Sequence, residues 1–337
     1  MAGAVAAAIA DDLLRVEGRC EQLARRGTVL QVRGTMEWPD GTVAGRYGFL
    51  HALYQDVLYS RLPAAQRVRL HHQVGERAEQ AYGERAKEIA SELAVHFEQG
   101  RDYGKVVQYL QQAGENALRR SAPQEAVHLI RKGLELLTTL PDTSERARQE
   151  LRLQLVLAAP LTATTGYTTL EVEKVHTRAL ELCRQVGETS QLFVALLGLC
   201  GFYLERAEIT TARELAEQGL SLARNVHDPI YLMWAHRMLG DLLYRLGEFA
   251  PAREHLEQGI ALYDSQQRSA GVLDDPAVYC LSFAAYTLWF LGYADQALQR
   301  SHEALATVDR TGERYYEAEL YRLKGELLLA REGKLRD

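Results

Sequence analysis

Between Phe193 and Leu305 one arrangement of small and large apolar residues occurs three times. The first copy has Leu196, Leu199, Cys200 and Tyr203, then Ala212, Ala216 and Gly219. The second has Leu239, Gly240 and Leu243, then Ala252, Leu256 and Gly259. The third has Leu281, Ala284, Ala285 and Leu288, then Ala297, Ser301 and Ala304. The anchors Ala212, Ala252 and Ala297 lie 40 and 45 residues apart, and a small residue stands twelve positions before each: Cys200, Gly240 and Ala285. Two antiparallel helices cross closely only where the facing side chains are small. One such pair cannot bury its apolar face alone, so pairs must stack. Gly114 and Ala126 repeat the same spacing and add an earlier pair to the stack.

This recurrence is a tetratricopeptide-like signature, stretched beyond its usual length. It predicts an all-α fold: a TPR-like helical-repeat solenoid of about six helix pairs over residues 61–337, clearest at 193–305. Residues 1–60 read differently. Two short helices span 2–27, the second from Leu13 to Arg25. Period-two alternation then predicts a β-hairpin over about 28–49, turning at Trp38-Pro39-Asp40-Gly41. Helix, helix, hairpin is the order of a winged-helix domain lacking its first helix. A helix from His51 to Leu62 is expected to turn Leu53, Tyr54, Val57 and Leu58 inward. Pro63 suits the start of the next helix, on which His71-His72 reads as a solvated pair. Further helices are expected near 86–99, 102–119, 122–138, 145–159 and 168–186. Pro160 and Gly166 are expected to bracket a loop, Thr162 to Thr169. A polar segment, Asp264 to Asp275, separates the last two copies. A final helix near 313–331 has no partner, so the chain reads as a fragment that begins mid-domain and ends mid-repeat.

The 337 residues are 47% hydrophobic and 25% charged, with a net charge of −6, which is ample for a packed core. Arg and Glu alternate along most helices, and the helix at Leu13–Arg25 mixes Arg15, Arg19 and Arg25 with Glu17 and Glu21. That is not a phosphate-seeking surface. Cys20, Cys183, Cys200 and Cys280 are widely spaced on apolar faces and read as reduced core thiols of a cytoplasmic protein. The motifs of zinc proteases, dithiol centres and serine hydrolases are absent from the sequence. His176 and Cys183 share a helix face but stand too far apart for a nucleophile–base pair, so both are expected to face the core. The reading is therefore non-enzymatic, with no cofactor.

Binding residues are better candidates. In this repeat type, positions 2, 5, 9 and 12 of the first helix line the concave groove. The second copy places Trp234, Arg237, Asp241 and Tyr244 there, and the third places Tyr279, Ser282, Tyr286 and Trp289. Aromatic rings supply rigid amphipathic anchors, and Arg237 with Asp241 supplies polar orientation.

The stretch Arg46-Tyr47-Gly48-Phe49-Leu50-His51-Ala52-Leu53-Tyr54-Gln55-Asp56-Val57-Leu58-Tyr59 resembles the junction after the winged helix in bacterial STAND-type signal-transduction ATPases. Glu92-Leu93-Ala94-Val95-His96-Phe97, Tyr109-Leu110-Gln111-Gln112-Ala113-Gly114-Glu115-Asn116-Ala117 and Ala318-Glu319-Leu320-Tyr321-Arg322-Leu323-Lys324-Gly325-Glu326 resemble the same family's helical arm. The resemblance covers nearly the whole chain. It implies a sensor arm that binds a ligand or partner and biases a neighbouring nucleotide-binding domain. No phosphate-binding loop is present: Gly104-Lys105-Val106 lacks both its glycine and its hydroxyl. ATP hydrolysis is therefore not carried over. The expected function is a protein-interaction and sensing scaffold, with a protein or peptide in the groove or a nucleotide-binding domain as partner. Two other readings stay open: a DNA-binding regulator acting through the winged helix, and a small-molecule receptor arm.

Overall fold

The computed structural model describes residues 13–263, 276–312 and 314–333. The first of the two expected N-terminal helices and the polar segment Asp264–Asp275 lie outside the described residues. Two compact units divide the chain, one ending at Thr164 and the other beginning at Thr165.

The first unit opens with α1 (Leu13–Arg25), then an antiparallel hairpin of β1 (Leu30–Glu37) and β2 (Val43–Phe49). Leu30 pairs with Phe49 and Glu37 with Val43, with an irregularity between Val32 and Thr35. Asp40 Oδ1 accepts the Thr42 amide at the turn, as an Asx turn should. α2 (Ala52–Arg61) and α3 (Ala64–Tyr82) follow. Arg77 of α3 holds the turn, donating to Asp40 at 2.8 Å and Thr42 at 3.0 Å while its guanidinium lies over Trp38. Trp38 is thereby buried beside Ala78 and Ala81, in the core that α4 (Ala90–Gln99) and α5 (Tyr103–Arg119) complete with Leu93, Phe97 and Tyr109. α6 (Pro123–Leu137) and α7 (Ser144–Thr165) close the unit.

Four expectations change here. Leu53, Tyr54, Val57 and Leu58 do not turn inward. All are exposed, Leu53 by 61%, and α2 buries none of its residues. An apolar stripe states which face favours burial, but a partner element must also be at hand, and none among the described residues covers this face. The first half of the expected Thr162–Thr169 loop is helix, because α7 runs through Pro160 to Thr165. A proline ring usually breaks a helix. Here the Thr162 hydroxyl donates to Ala158 O and the Thr164 hydroxyl to Pro160 O, tying the turns around it. His71-His72 is not a solvated pair: His71 lies against His96 and Tyr59, and His72 against Glu76. Cys20 is only half-buried, whereas Cys183, Cys200 and Cys280 are core thiols.

The second unit contains α8 (Leu170–Val186), α9 (Thr189–Glu205), α10 (Ile209–Val226), α11 (Pro229–Arg245), α12 (Phe249–Leu262), α13 (Pro276–Phe290), α14 (Ala294–Thr311) and α15 (Glu317–Gly333). The pairs α9/α10, α11/α12 and α13/α14 are the three sequence copies. The twelve-residue spacing proves to be their crossing point. Cys200 Sγ donates to Ala212 O at 3.3 Å, and Ala212, Ala252, Ala285 and Ala297 are fully buried. The turn inside each pair repeats as well: Glu208 N bonds Tyr203 O, Glu248 N bonds Leu243 O, and Tyr293 N bonds Leu288 O, each at 2.9 Å. α15 packs as the next helix of the stack, with Leu320, Leu323 and Leu327 buried against α13 and α14.

Candidate functional site

The groove candidates separate into two groups. Arg237 sits at the centre of the first. Its guanidinium lies 4.8 Å from the Trp234 ring centroid, one turn earlier on α11, and 3.7 Å from that of Tyr279 on α13. Asp241, one turn further along α11, is buried and accepts from Arg245 Nε at 2.9 Å, while Arg245 also reaches Glu205 at 2.9 Å. The Tyr279 hydroxyl also bonds to Asp241. Burial, then the Asp241 charge, pushes its phenol far above the ordinary value. This group is a buried network of ring contacts and hydrogen bonds that joins α11 to α13.

Ser282 offers nothing to a groove. It is fully buried and donates to Val278 O at 2.6 Å, within its own helix. α13 is apolar all round, and a small hydroxyl on such a helix is satisfied by the carbonyl one turn back.

The second group opens into a cleft of about 410 Å³. Tyr244, Tyr286 and Trp289 all line it. Phe283, Phe290 and Tyr316 complete its aromatic wall. The rings interlock: Phe283 meets Tyr244 edge-on at 5.3 Å and Tyr316 edge-on at 5.8 Å, and Phe290 stacks on Phe249 at 4.8 Å. Such contacts fix the ring positions before anything binds. α15 supplies the polar side, where Glu319 and Glu326 both pair with Arg322. That pairing holds the Glu319 carboxyl below its ordinary value. Tyr286 is 7% exposed, and its hydroxyl has no hydrogen-bond partner among the described residues. Burial, with the Glu319 charge second, raises its phenol well above the usual range.

Position counting along α11 and α13 identified Tyr244, Tyr286 and Trp289. It missed Phe283 and Phe290, which are off the counted positions, and the whole contribution of α15. A signal was present: Glu319, Arg322 and Glu326 are spaced three and four apart, which puts them on one helix face.

Among the described residues no group of three or more His, Cys, Asp or Glu side chains could hold a metal ion, and no helix is long and apolar enough to cross a membrane.

Residues 191–265 match the tetratricopeptide repeat family. An uncharacterized protein of Rhizobium meliloti (strain 1021) is 24% identical over 269 residues, which is 77% of this chain. The chain spans 26% of the length of that relative. Among solved structures, apo RapI superposes with a TM-score of 0.54 at 17% identity, covering 66% of this chain and 77% of RapI. NprR in complex with its cognate peptide NprX gives 0.50 at 13% identity, covering 85% and 79%. A STAND protein with a tetratricopeptide repeat sensor, from Pyrococcus horikoshii, gives 0.53 at 13% identity, covering 82% and 48%. At these identities the likeness establishes the fold, a TPR-like helical solenoid with a small N-terminal sheet.

Proposed function

We propose that this chain is a non-enzymatic sensing arm of a signal-transduction ATPase, and that it holds a peptide or protein segment in the aromatic cleft of its second unit. The cleft carries the reading: preset aromatic rings line it, with the charged side chains of α15 beside them. Support by analogy comes from NprR, which is known with a bound peptide, and from a STAND protein whose repeats are its sensor. In this reading α1 and the hairpin are the remainder of a winged helix, which relays binding to a nucleotide-binding domain in a longer protein. The work is done in the cytoplasm.

The test is affinity capture from a lysate of the cells that make the protein, beside a Tyr286→Phe/Trp289→Ala variant of equal helicity. Tyr286→Phe removes only the hydroxyl, whereas Tyr286→Ala would open a cavity in a packed core. A partner held by the native chain and lost by the variant is expected. Equal capture by both would contradict the cleft. The cleft volume also falls in the range of small-molecule sites. A metabolite that raises the melting temperature of the native chain but not of the variant would favour that second reading.

A further inference from the structure

The cleft is not electrically neutral. Glu319 and Glu326 share the single guanidinium of Arg322. Two carboxylates against one guanidinium leave a formal surplus of one negative charge. The two tyrosines sense it. Among the charges acting on Tyr286, Glu319 outranks Arg322, and the same order holds at Tyr244. Aromatic rings present a negative face to whatever lies over them. Beside the cleft the protein already uses this property, setting Arg237 between Trp234 and Tyr279. Inside the cleft it does not: among the described residues no lysine or arginine lies over the ring of Tyr286 or Trp289.

We infer that the cleft receives the cationic end of a lysine or arginine side chain of the bound peptide. The inference rests on the peptide-binding reading given above. The cation lies against the Tyr286 and Trp289 rings and balances the surplus carboxylate of α15. Its aliphatic stem covers the remaining apolar wall, as long basic side chains do elsewhere.

The experiment is selection of a displayed library of random heptapeptides on the full chain, with counter-selection on the Tyr286→Phe/Trp289→Ala variant. Selected peptides are then synthesised with each lysine free or acetylated, or each arginine replaced by citrulline. Enrichment of a basic residue is expected, with about a tenfold loss of affinity when its charge is removed. Glu326→Gln, which touches no ring stack, is expected to weaken the basic peptides and leave their acetylated forms unchanged. Peptides that need the cleft but carry no basic residue, or tolerate acetylation, would overturn this inference and leave peptide binding standing. Peptides indifferent to the cleft variant, or none selected, would overturn both. Binding of n-butylammonium alone as tightly as the best peptide would assign the cleft to a small cation and overturn the peptide source.

Discussion

The imidazole of His176 occupies the space that a side chain on Gly198 would need. A Cβ built on Gly198 would fall 2.0 Å from His176 Cε1 and 2.2 Å from its Nδ1. The ring is buried, so it has nowhere to swing. α8 and α9 therefore pack by fitting an imidazole against bare backbone. Alanine in a helix interior ordinarily gains about 1 kcal/mol over glycine. Here overpacking reverses the sign, and Gly198→Ala should destabilise by about 2 kcal/mol. Urea melts at pH 7.5 check it. In Gly198→Ala/His176→Ala the alanine at 198 should cost far less, the non-additivity expected of contacting residues.

A second comparison is internal. Gly240 and Gly201 both lie inside helices, but a Cβ on Gly240 would fall 2.6 Å from Leu256 Cγ, while one on Gly201 would meet nothing within 4 Å. Gly240 is where two helices cross. Gly240→Ala should lose about 1–3 kcal/mol, whereas Gly201→Ala should gain about 0.5–1 kcal/mol. Opposite shifts in melting temperature are the readout. Equal shifts would mean that the close crossing is not what the repeat preserves.

Ala207, Gly247 and Gly292 occupy the same turn in the three copies, with φ of 59°, 76° and 85°. The spacing is again 40 and 45 residues. Left-handed backbone costs a residue with a Cβ about 1–2 kcal/mol, so the first copy is strained where the other two are not. Ala207→Gly should stabilise by a few tenths to about 1 kcal/mol, and Gly247→Ala should destabilise by a similar amount. Chemical denaturation of the two single variants decides this.

Acid should unfold the chain early. Burial lowers His71, His96, His176, His236 and His255 below the ordinary 6.5, with His176 and His236 brought down to about 4. Between pH 6.5 and 4 the unfolded chain therefore binds protons that the folded chain refuses. This contribution is fully present above pH 6.5 and is lost as pH falls towards 4. For buried His176 alone it is on the order of 3 kcal/mol. Stability measured from pH 7.5 to 4.5 should fall steeply below 6.5. A flat profile down to pH 5 would show that these rings reach water.

Much of the fold could be read from residue types. The helix pairs, the crossing points at Cys200, Gly240 and Ala285, and the hairpin turn at Trp38–Gly41 follow from small-residue spacing and turn chemistry, both of which are local. What could not be read depends on neighbours that are distant in sequence. Pro160 looks like a helix end until the flanking threonine hydroxyls are seen to bond its turns. Leu53 and Val57 look like core residues until their face is found uncovered. The site follows the same division. Tyr244, Tyr286 and Trp289 are marked by their positions within a repeat, but Phe283 and Phe290 sit on a helix that is apolar all round, where periodicity points nowhere. The spacing of Glu319, Arg322 and Glu326 puts them on one face of α15, but that this face meets the cleft depends on α15 packing as the next helix of the stack.

The central claim is that binding happens in the cleft between α11, α13 and α15. The three tryptophans make it directly testable, because Trp289 lines the cleft, Trp234 lies under Arg237 and Trp38 is buried in the first unit. We would label them with 5-fluorotryptophan, assign the three fluorine signals by single substitution, and titrate in a library-selected heptapeptide. The account predicts that the Trp289 signal moves with saturation while the Trp38 signal stays in place. A titration that saturates with the Trp289 signal unmoved would place the bound peptide elsewhere and contradict the account.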